Sequence, residues 1–445
     1  MIAIVVSRAD GASAHIGERL LEIGDWEARE DDALPDADGG GTYYRTEGFE
    51  LREFDELHIR LSDPTAAFDC DPEFLAFVSR HSGETGKLLT AHVTGNFGGA
   101  EYGGEPESLA RAAPGAEKRV VEALARRAPE GYEVGIECTH HGPTDVAVPS
   151  LFVELGSDEP QWEDPEAARA VARAVLDLRG TGANLVDDSG GRPRHVVGFG
   201  GGHYAPRFTR IVRETEWAVG HVGAGWALAD LGAPDANRDV IDAAFERSRA
   251  EHAVIEGDRP DLAAVVEGLG YRVVSETWVR EVGHAPLPLV EYLEGEIAPI
   301  DEGLRFGTVE PGAAAVDGGA ATEGGATDED STTAATGDAA GVGDAVTVRE
   351  LPDELLARAQ GLDADAARAA VERVTVAFDT RQGGTRAAGR VAFAADPETP
   401  GYADLVAGLA EVLEAGYDAV EVAPEGSAVV ARENAFDPSL AAERG

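Results

Sequence analysis

Residues His195–Tyr204 read HVVGFGGGHY: a short apolar run, three consecutive glycines at Gly200–Gly202, then a histidine and a tyrosine. The run predicts a strand over His195–Phe199. The glycines predict either a tight turn with positive φ or a place where a ligand lies against bare backbone. The residues that follow, APRFT, put Arg207 and Arg210 within one helical turn, and AVGHVGAGWAL repeats the design with His221 between glycines. Strand, glycine turn and helix in succession are the grammar of a layered α/β fold.

The same alternation extends on both sides. Strands are expected at Ile2–Val6, Leu57–Leu61, Leu88–Thr94, Tyr132–Thr139, Leu151–Leu155, Trp217–His221 and Tyr271–Trp278. Helices are expected from about Glu107 to Arg127, over Asn237–Glu251 and Asp261–Leu269, and from Pro165 to before Gly180. The last of these has Asp164 as its N-cap and Pro165 at the first helical position. The reading is a mixed sheet flanked by helices, forming one domain over residues 1–306. Residues 307–347 are rich in Gly, Ala, Thr and Asp with almost no large apolar side chain, the composition of a disordered acidic linker. Residues 348–445 resume globular patterning, with helices near Pro352–Gln360 and Ala364–Val371, a strand at Val374–Phe378 and a helix–strand pair over Tyr402–Val422: a small α+β segment.

Composition narrows the class. The chain carries 83 Asp+Glu against 37 Lys+Arg, a formal net charge of −46, and Lys87 and Lys118 are its lysines. In molar salt the Debye length shrinks to about 3 Å, so this acidity is a solvent adaptation of the haloarchaeal kind and does not exclude a nucleic-acid partner. No apolar run reaches the roughly 18 residues of a membrane helix, and MIAIVVSRAD lacks a basic start and a cleavage site. A cytoplasmic protein with no membrane partner, and a monomer, is expected. Cys70 and Cys138 are too few for a thiolate cluster, which leaves histidine and carboxylate as metal ligands.

In open α/β sheets ligands sit beyond the carboxyl ends of strands. There the chain places Asp10, Asp63, His92, Glu137 with the doublet His140-His141, Glu154, His203 and His221. A single histidine at a strand end is more often a satisfied hydrogen-bonding residue than a ligand; several converging ones form a site. On a continuing strand His140 and His141 would point to opposite faces, so one of the two is expected to face the site. Gly200–Gly202 match neither a P-loop nor a G-x-G-x-x-G dinucleotide turn. No G-x-S-x-G elbow occurs, and neither cysteine sits in a nucleophile signature, which favours activated water as the attacking group.

Taken in order, SRADGASAHIGERLLE, LLTAHVTGNFGGAEYGG, YEVGIECTHHGPTDVAVPSLFVELGS, EDPEAARAVARAVLDL, VVGFGGGHYAPRFT and AVGHVGAGWAL resemble the zinc-dependent D-aminoacyl-tRNA deacylases of archaea and plants. The resemblance implies hydrolysis of the ester between a D-amino acid and tRNA, a bound Zn2+, and a fold similar to peptidyl-tRNA hydrolase and phosphorylase-like proteins. Zinc would acidify a water and polarise the carbonyl. His140, His141, His203 and His221 are the pool from which ligands and general base come, with Glu137 or Glu154 as carboxylate ligand or orienting group and His92 as a weaker fifth imidazole. As catalytic residues we expect His140, His141, His203 and Glu137; as metal ligands, His140, His203, His221 and Glu154. Gly95, Asn96, Gly200, Gly201, Gly202, Tyr204 and Arg207 are expected to bind substrate. The turns Gly95–Gly99 and Gly200–Gly202 would offer N–H groups to the oxyanion, and Tyr204 a face to a base. Lys118, Arg119, Arg126, Arg127, Arg192, Arg194, Arg207, Arg210 and Arg213 are the candidate phosphate contacts. A nucleoside phosphorylase or nucleosidase, which needs no zinc, and a non-catalytic RNA-binding protein are the alternatives.

Overall fold

A computed structural model describes residues 1–185, 193–311, 342–423 and 428–432. They divide into two compact units, with the break between Val279 and Arg280.

The first unit contains β1 (Ile2–Ser7), α1 (Gly11–Ile23), β2 (Glu27–Asp31), β3 (Gly41–Thr46), β4 (Phe49–Phe54), β5 (Phe74–Arg80), β6 (Leu88–His92), β7 (Gly95–Asn96), β8 (Ser108–Leu109), α2 (Pro114–Arg127), β9 (Glu133–Ile136) and β10 (Ser150–Leu155). After these come α3 (Glu159–Trp162), α4 (Pro165–Leu176), β11 (His195–Phe199), α5 (Pro206–Glu214), β12 (Ala218–Gly223), α6 (Gly225–Leu231), α7 (Arg238–Ser248), β13 (His252–Ile255), α8 (Pro260–Gly268) and β14 (Arg272–Val273). A mixed eight-stranded sheet runs β2-β3-β4-β1-β5-β10-β6-β9, and a second sheet of four strands runs β12-β11-β13-β14. The strands of the second sheet are all parallel. β1 is buried at every position, as a strand covered on both faces must be. The Asp164 cap forms as expected, accepting from the N–H groups of Glu166 and Ala167.

Three expectations change. Leu57–Leu61 is no strand: His58–Arg60 form one turn of 3-10 helix. Its apolar residues still pack inward, with Leu61 against the cluster that holds Phe77 and Phe152, and the buried His58 ring meets both phenylalanines edge-on. The central position between β1 and β10 goes to β5, FLAFVSR, which is buried continuously because α1 packs against it and Leu75 and Phe77 join a core cluster with Phe68 and Phe152. The helix expected from Glu107 begins only at Pro114, and Tyr271–Trp278 divides into the short β14 and a helix at Glu276–Val282.

The glycines of the opening stretch are explained by the protein's own packing. A Cβ on Gly198 would lie 2.7 Å from the Phe208 ring, and one on Gly200 would lie 2.3 Å from the Glu256 carbonyl oxygen. A Cβ on Gly201 would lie 2.8 Å from the Glu256 carboxylate, whereas Gly202 has open space. Gly200 and Gly201 have φ of 98° and 74°, the left-handed region that glycine tolerates. The turn carries the chain back so that the His203 carbonyl accepts from Cys138 N–H at 2.7 Å, just as the Val222 carbonyl accepts from Thr139 N–H at 2.8 Å. Residues 137–139 thereby join the two sheets.

In the second unit, an antiparallel sheet is ordered β15 (Arg305–Phe306), β17 (Ala377–Arg381), β18 (Arg386–Ala394), β16 (Val346–Glu350), with a hairpin of β19 (Ala419–Val422) and β20 (Val429–Arg432). Helices Asp353–Leu362, Ala364–Glu372 and Tyr402–Leu413 cover a core that includes Leu356, Val371, Phe378, Val391 and Leu409. Arg305–Phe306 pairs within this unit, and Gly307, Thr308 and Val309 donate to the carbonyls of Val376, Glu372 and Thr375. The unit therefore takes in residues 280–306, which the sequence reading had assigned to the first domain. Residues 312–341, the bulk of the acidic linker, lie outside the described residues.

Gly200→Ala should destabilise the protein by about 1–3 kcal/mol, since the substitution meets both strain and a backbone oxygen, while Gly202→Ala should change stability by no more than about 0.5 kcal/mol. Urea unfolding in molar KCl checks this; equal midpoints for the two variants would contradict it.

Candidate active site

The site lies where strand ends of the large sheet meet the glycine turn of the small one. β5 delivers His81, β6 ends at His92, β9 leads into Glu137, and β10 carries Glu154 in register with Thr90. Glu137 is fully buried, and accepts from Thr90 Oγ1 at 2.5 Å, His203 Nε2 at 2.7 Å and His81 Nδ1 at 3.0 Å. Burial alone would push its pKa up; the bonds from His203 and His81 outweigh it and hold the carboxyl well below the usual range. Glu154 follows the same pattern, with burial overcome by His81 and His92.

His81 sits between the two carboxylates, its Nδ1 3.5 Å from Glu154 Oε2. Burial would lower its pKa, but the two glutamates raise it to about 11, so this imidazole is a permanent cation. Its Nε2 donates to the Tyr204 hydroxyl at 3.3 Å.

Three other imidazoles pack ring to ring: His92, His140 and His141, with centroids 4.4–4.8 Å apart. Each donates its Nδ1–H to a nearby backbone carbonyl: His92 to Val93 at 3.1 Å, His140 to Cys138 at 2.8 Å and His141 to Gly142 at 2.6 Å. That leaves three Nε2 lone pairs, an arrangement that fixes tautomers in metal sites. Burial holds His140 well below its ordinary pKa and His141 down at about 4, so both are neutral. His92 Nε2 is buried with no hydrogen-bond partner among the described residues, 3.5 Å from Glu154 Oε1. Although burial opposes it, the carboxylate raises His92's pKa: the site calls for positive charge at this nitrogen, from a proton or a metal. Both members of the doublet face the site, against the expectation of one, because β9 ends at Ile136, before the doublet, and His141 adopts φ 51°.

Among the described residues three groupings could hold a metal: His92–His140–His141, Cys138–His140–His203 and His81–Glu137–Glu154. The all-imidazole set is the one whose donors need no thiol deprotonation and no displacement of a bridging cation. Burial pushes the Cys138 thiol up to about 12, a poor ligand as it stands. His221 joins none of them. Its Nε2 is bonded to the Ala110 carbonyl at 2.8 Å and its Nδ1 to Thr139 Oγ1 at 3.1 Å, so both nitrogens serve the fold.

A cavity of ≈ 500 Å³ opens onto the cluster, lined by Asp10, Leu57, Tyr102, His141, Glu154 and His203 among others. Of the expected substrate contacts, Tyr204 stands at the site with its ring against His203, and Gly202 remains open. The others are structural. Asn96 Nδ2 donates to the carbonyls of Gly103 and Glu105, Arg207 pairs with Glu276, and the space beside Gly200 and Gly201 is filled by Glu256. The N–H groups of Gly95, Gly99 and Gly200 are already donated to the His141 carbonyl, Asp230 and the Gly223 carbonyl, so none is available to an oxyanion.

The expected basic surface is also engaged. Lys118 donates to the carbonyls of Val212 and Thr215, Arg119 pairs with Glu122, Arg126 and Arg127 with Asp177, and Arg210 with Glu276. Arg192 lies outside the described residues, Arg194 is engaged, and Arg213 is exposed. His81 and Thr90 were not foreseen, and His92 is more central than expected.

A family model described as D-aminoacyl-tRNA deacylase matches residues 68–274, the span that holds every member of this cluster. The D-aminoacyl-tRNA deacylase of Halorubrum lacusprofundi is 68% identical over 470 residues, covering 100% of this chain and 89% of that protein. The one from Haloarcula marismortui is 51% identical over 445 residues, covering 99% and 91%. The crystal structure of a conserved protein of unknown function matches with a TM-score of 0.55 and 33% identity, over 63% of this chain and 96% of that one. Among the described residues no helix is long and apolar enough to cross a membrane.

Beneath the cluster, α2 carries the fully buried Glu117, whose Oε2 has no hydrogen-bond partner and whose pKa burial raises to about 8 against the positive field of His92. A raised acid favours folding below its unfolded pKa near 4.5 and loses that contribution as pH climbs through about 8. Denaturant unfolding of Glu117→Gln should therefore show a stability difference that moves in the variant's favour between pH 4.5 and 9; parallel pH curves would refute the assignment.

Proposed function

This chain belongs to the D-aminoacyl-tRNA deacylase family, and we propose from that premise that it hydrolyses the ester between a D-amino acid and tRNA in the cytoplasm, releasing both. The observation that carries the reading of the site is the convergence of three imidazoles, each with a ring nitrogen within 4.8 Å of the others, beside two buried carboxylates. His92, His140 and His141 would hold a zinc ion, with Glu154 orienting His92; the chemistry fits, because imidazole nitrogens suit zinc and His92 Nε2 lacks a partner. Zinc bound there supplies Lewis acidity, polarising the ester carbonyl and acidifying water.

The remaining work falls to the residues around it. His203 donates Nε2–H to Glu137 at 2.7 Å, which leaves Nδ1 as its basic atom, 3.7 Å from Cys138 Sγ. In this reading Nδ1 takes a proton from the attacking water while the water oxygen bonds to the carbonyl carbon. The same proton then passes to the ribose oxygen as the ester C–O bond breaks. Glu137, kept ionised, stabilises the imidazolium in between. His81 fixes Glu137 and Glu154 from behind and holds the Tyr204 hydroxyl at the entrance.

The test is hydrolysis of D-tyrosyl-tRNA against L-tyrosyl-tRNA in molar KCl. The D ester should be cleaved selectively, activity should vanish with chelator and return with zinc, and His203→Ala should lower kcat by about 10²–10⁴. Equal turnover of both enantiomers would end the proofreading reading, and chelator resistance the metal one. His92→Ala should lose bound zinc, as metal analysis would show; full retention would contradict the ligand set.

A further inference from the structure

We propose that Tyr102 and Trp226 form a stacking platform for the unpaired 3′-terminal bases of the tRNA. The inference rests on the function above and extends it from the ester to the nucleotides. Exposed aromatic rings are scarce in the first unit. Tyr102 is 62% exposed and Trp226 53%, while the buried rings include Trp217, Trp278 and eight or more phenylalanines of the core. Tyr102 also lines the cavity that contains His140, His141 and His203. It stands at the mouth of the site through which the acylated end of the substrate must enter.

The backbone that presents Tyr102 is braced on every side. Asn96 Nδ2 donates to Gly103 and Glu105 carbonyls at 2.9 and 3.1 Å, Glu105 N–H donates to Thr144 Oγ1 at 2.9 Å, and the Tyr102 carbonyl accepts from Gly142 N–H at 3.2 Å. Gly103 has φ 83° and packs so closely that a Cβ would lie 2.0 Å from the Ile59 carbonyl oxygen. Such a loop holds its ring in the solvent with little conformational entropy left to lose on contact. The same loop is tied to the helix that carries Trp226, because Gly99 N–H donates to Asp230 at 2.6 Å. At the start of that helix, Gly225 N–H donates to the Gly201 carbonyl at 2.9 Å, in the turn that precedes His203. Tyr102, Trp226 and His203 thus sit on segments linked to one another by hydrogen bonds.

Charge selects the occupant. With a net charge of −46 and with Arg207, Arg210 and Lys118 drawn into ion pairs or carbonyl contacts, phosphate attraction is limited. Molar salt weakens it further by removing the counterion-release gain. Stacking of a base on an aromatic face survives both conditions and is indifferent to base identity, as suits an enzyme that reads the end common to all tRNAs.

The experiment uses the full chain with Tyr102→Ala, Tyr102→Phe, Trp226→Ala and Trp226→Phe in 2 M KCl. Fluorescence anisotropy measures binding of a labelled RNA tetranucleotide ending in CCA, and steady-state kinetics measures KM for D-tyrosyl-tRNA. Each alanine variant should weaken oligonucleotide binding and raise KM by ~5- to 100-fold, and each phenylalanine variant should restore most of both. Alanine variants that bind the oligonucleotide as tightly as the parent would overturn the platform, as would phenylalanine variants as weak as alanine. Oligonucleotide binding needs no catalysis, so a parent protein that binds the RNA but leaves D-tyrosyl-tRNA intact would sink the hydrolase reading alone.

Discussion

Imidazoles and carboxylates buried together determine one another's protons. Glu137 and Glu154 are inside the fold, where an unpaired charge is costly, so donors must surround them. His81 supplies a cation between them, and His203 and Thr90 complete the shell of Glu137. Once those protons are assigned, the other three imidazoles have one arrangement left: Nδ1–H on a backbone carbonyl and Nε2 turned inward. The capacity of the site to hold a metal follows from this proton distribution.

The architecture exists to bring that set together. The Glu137–Thr139 segment extends β9 and bonds to carbonyls of the second sheet at His203 and Val222, so it is shared by both sheets. The glycines of the turn before His203 let the chain fold back tightly against Glu256 and Phe208. They act on the chemistry through the position of His203. His221, one strand over, bonds Ala110 and Thr139 and so holds the frame on which His140 is mounted.

Much of this was legible in the chain. Asp164 and Pro165 announce their helix, the apolar run before Gly200 announces its strand, and the adjacent pair His140-His141 stands out in the sequence. What escaped was non-local. Phe74–Arg80 lacks the polar alternation of a half-buried strand because both its faces are packed, and with no strand expected there, His81 at its end was not expected either. The convergence of His141 with His140 depends on a single positive φ that a histidine doublet does not advertise. His221 looked like a ligand because a histidine between glycines resembles one; only its two hydrogen-bond partners, distant in sequence, give it a structural role. Several of the expected arginines pair with acidic residues, which are plentiful in this chain, as Arg126 and Arg127 do with Asp177 and Arg207 and Arg210 do with Glu276.

The acidic composition and the buried site answer different demands. Surface carboxylates keep the chain hydrated in concentrated salt, while inside, the same chemistry is paired with imidazole and shielded from salt altogether. The most direct test of the proposed proton and ligand arrangement is X-ray absorption spectroscopy of the zinc-loaded protein. The account predicts imidazole nitrogen at about 2.0–2.1 Å and no sulfur in the coordination sphere, whereas a zinc–sulfur distance near 2.3 Å would assign the metal to Cys138 and contradict it.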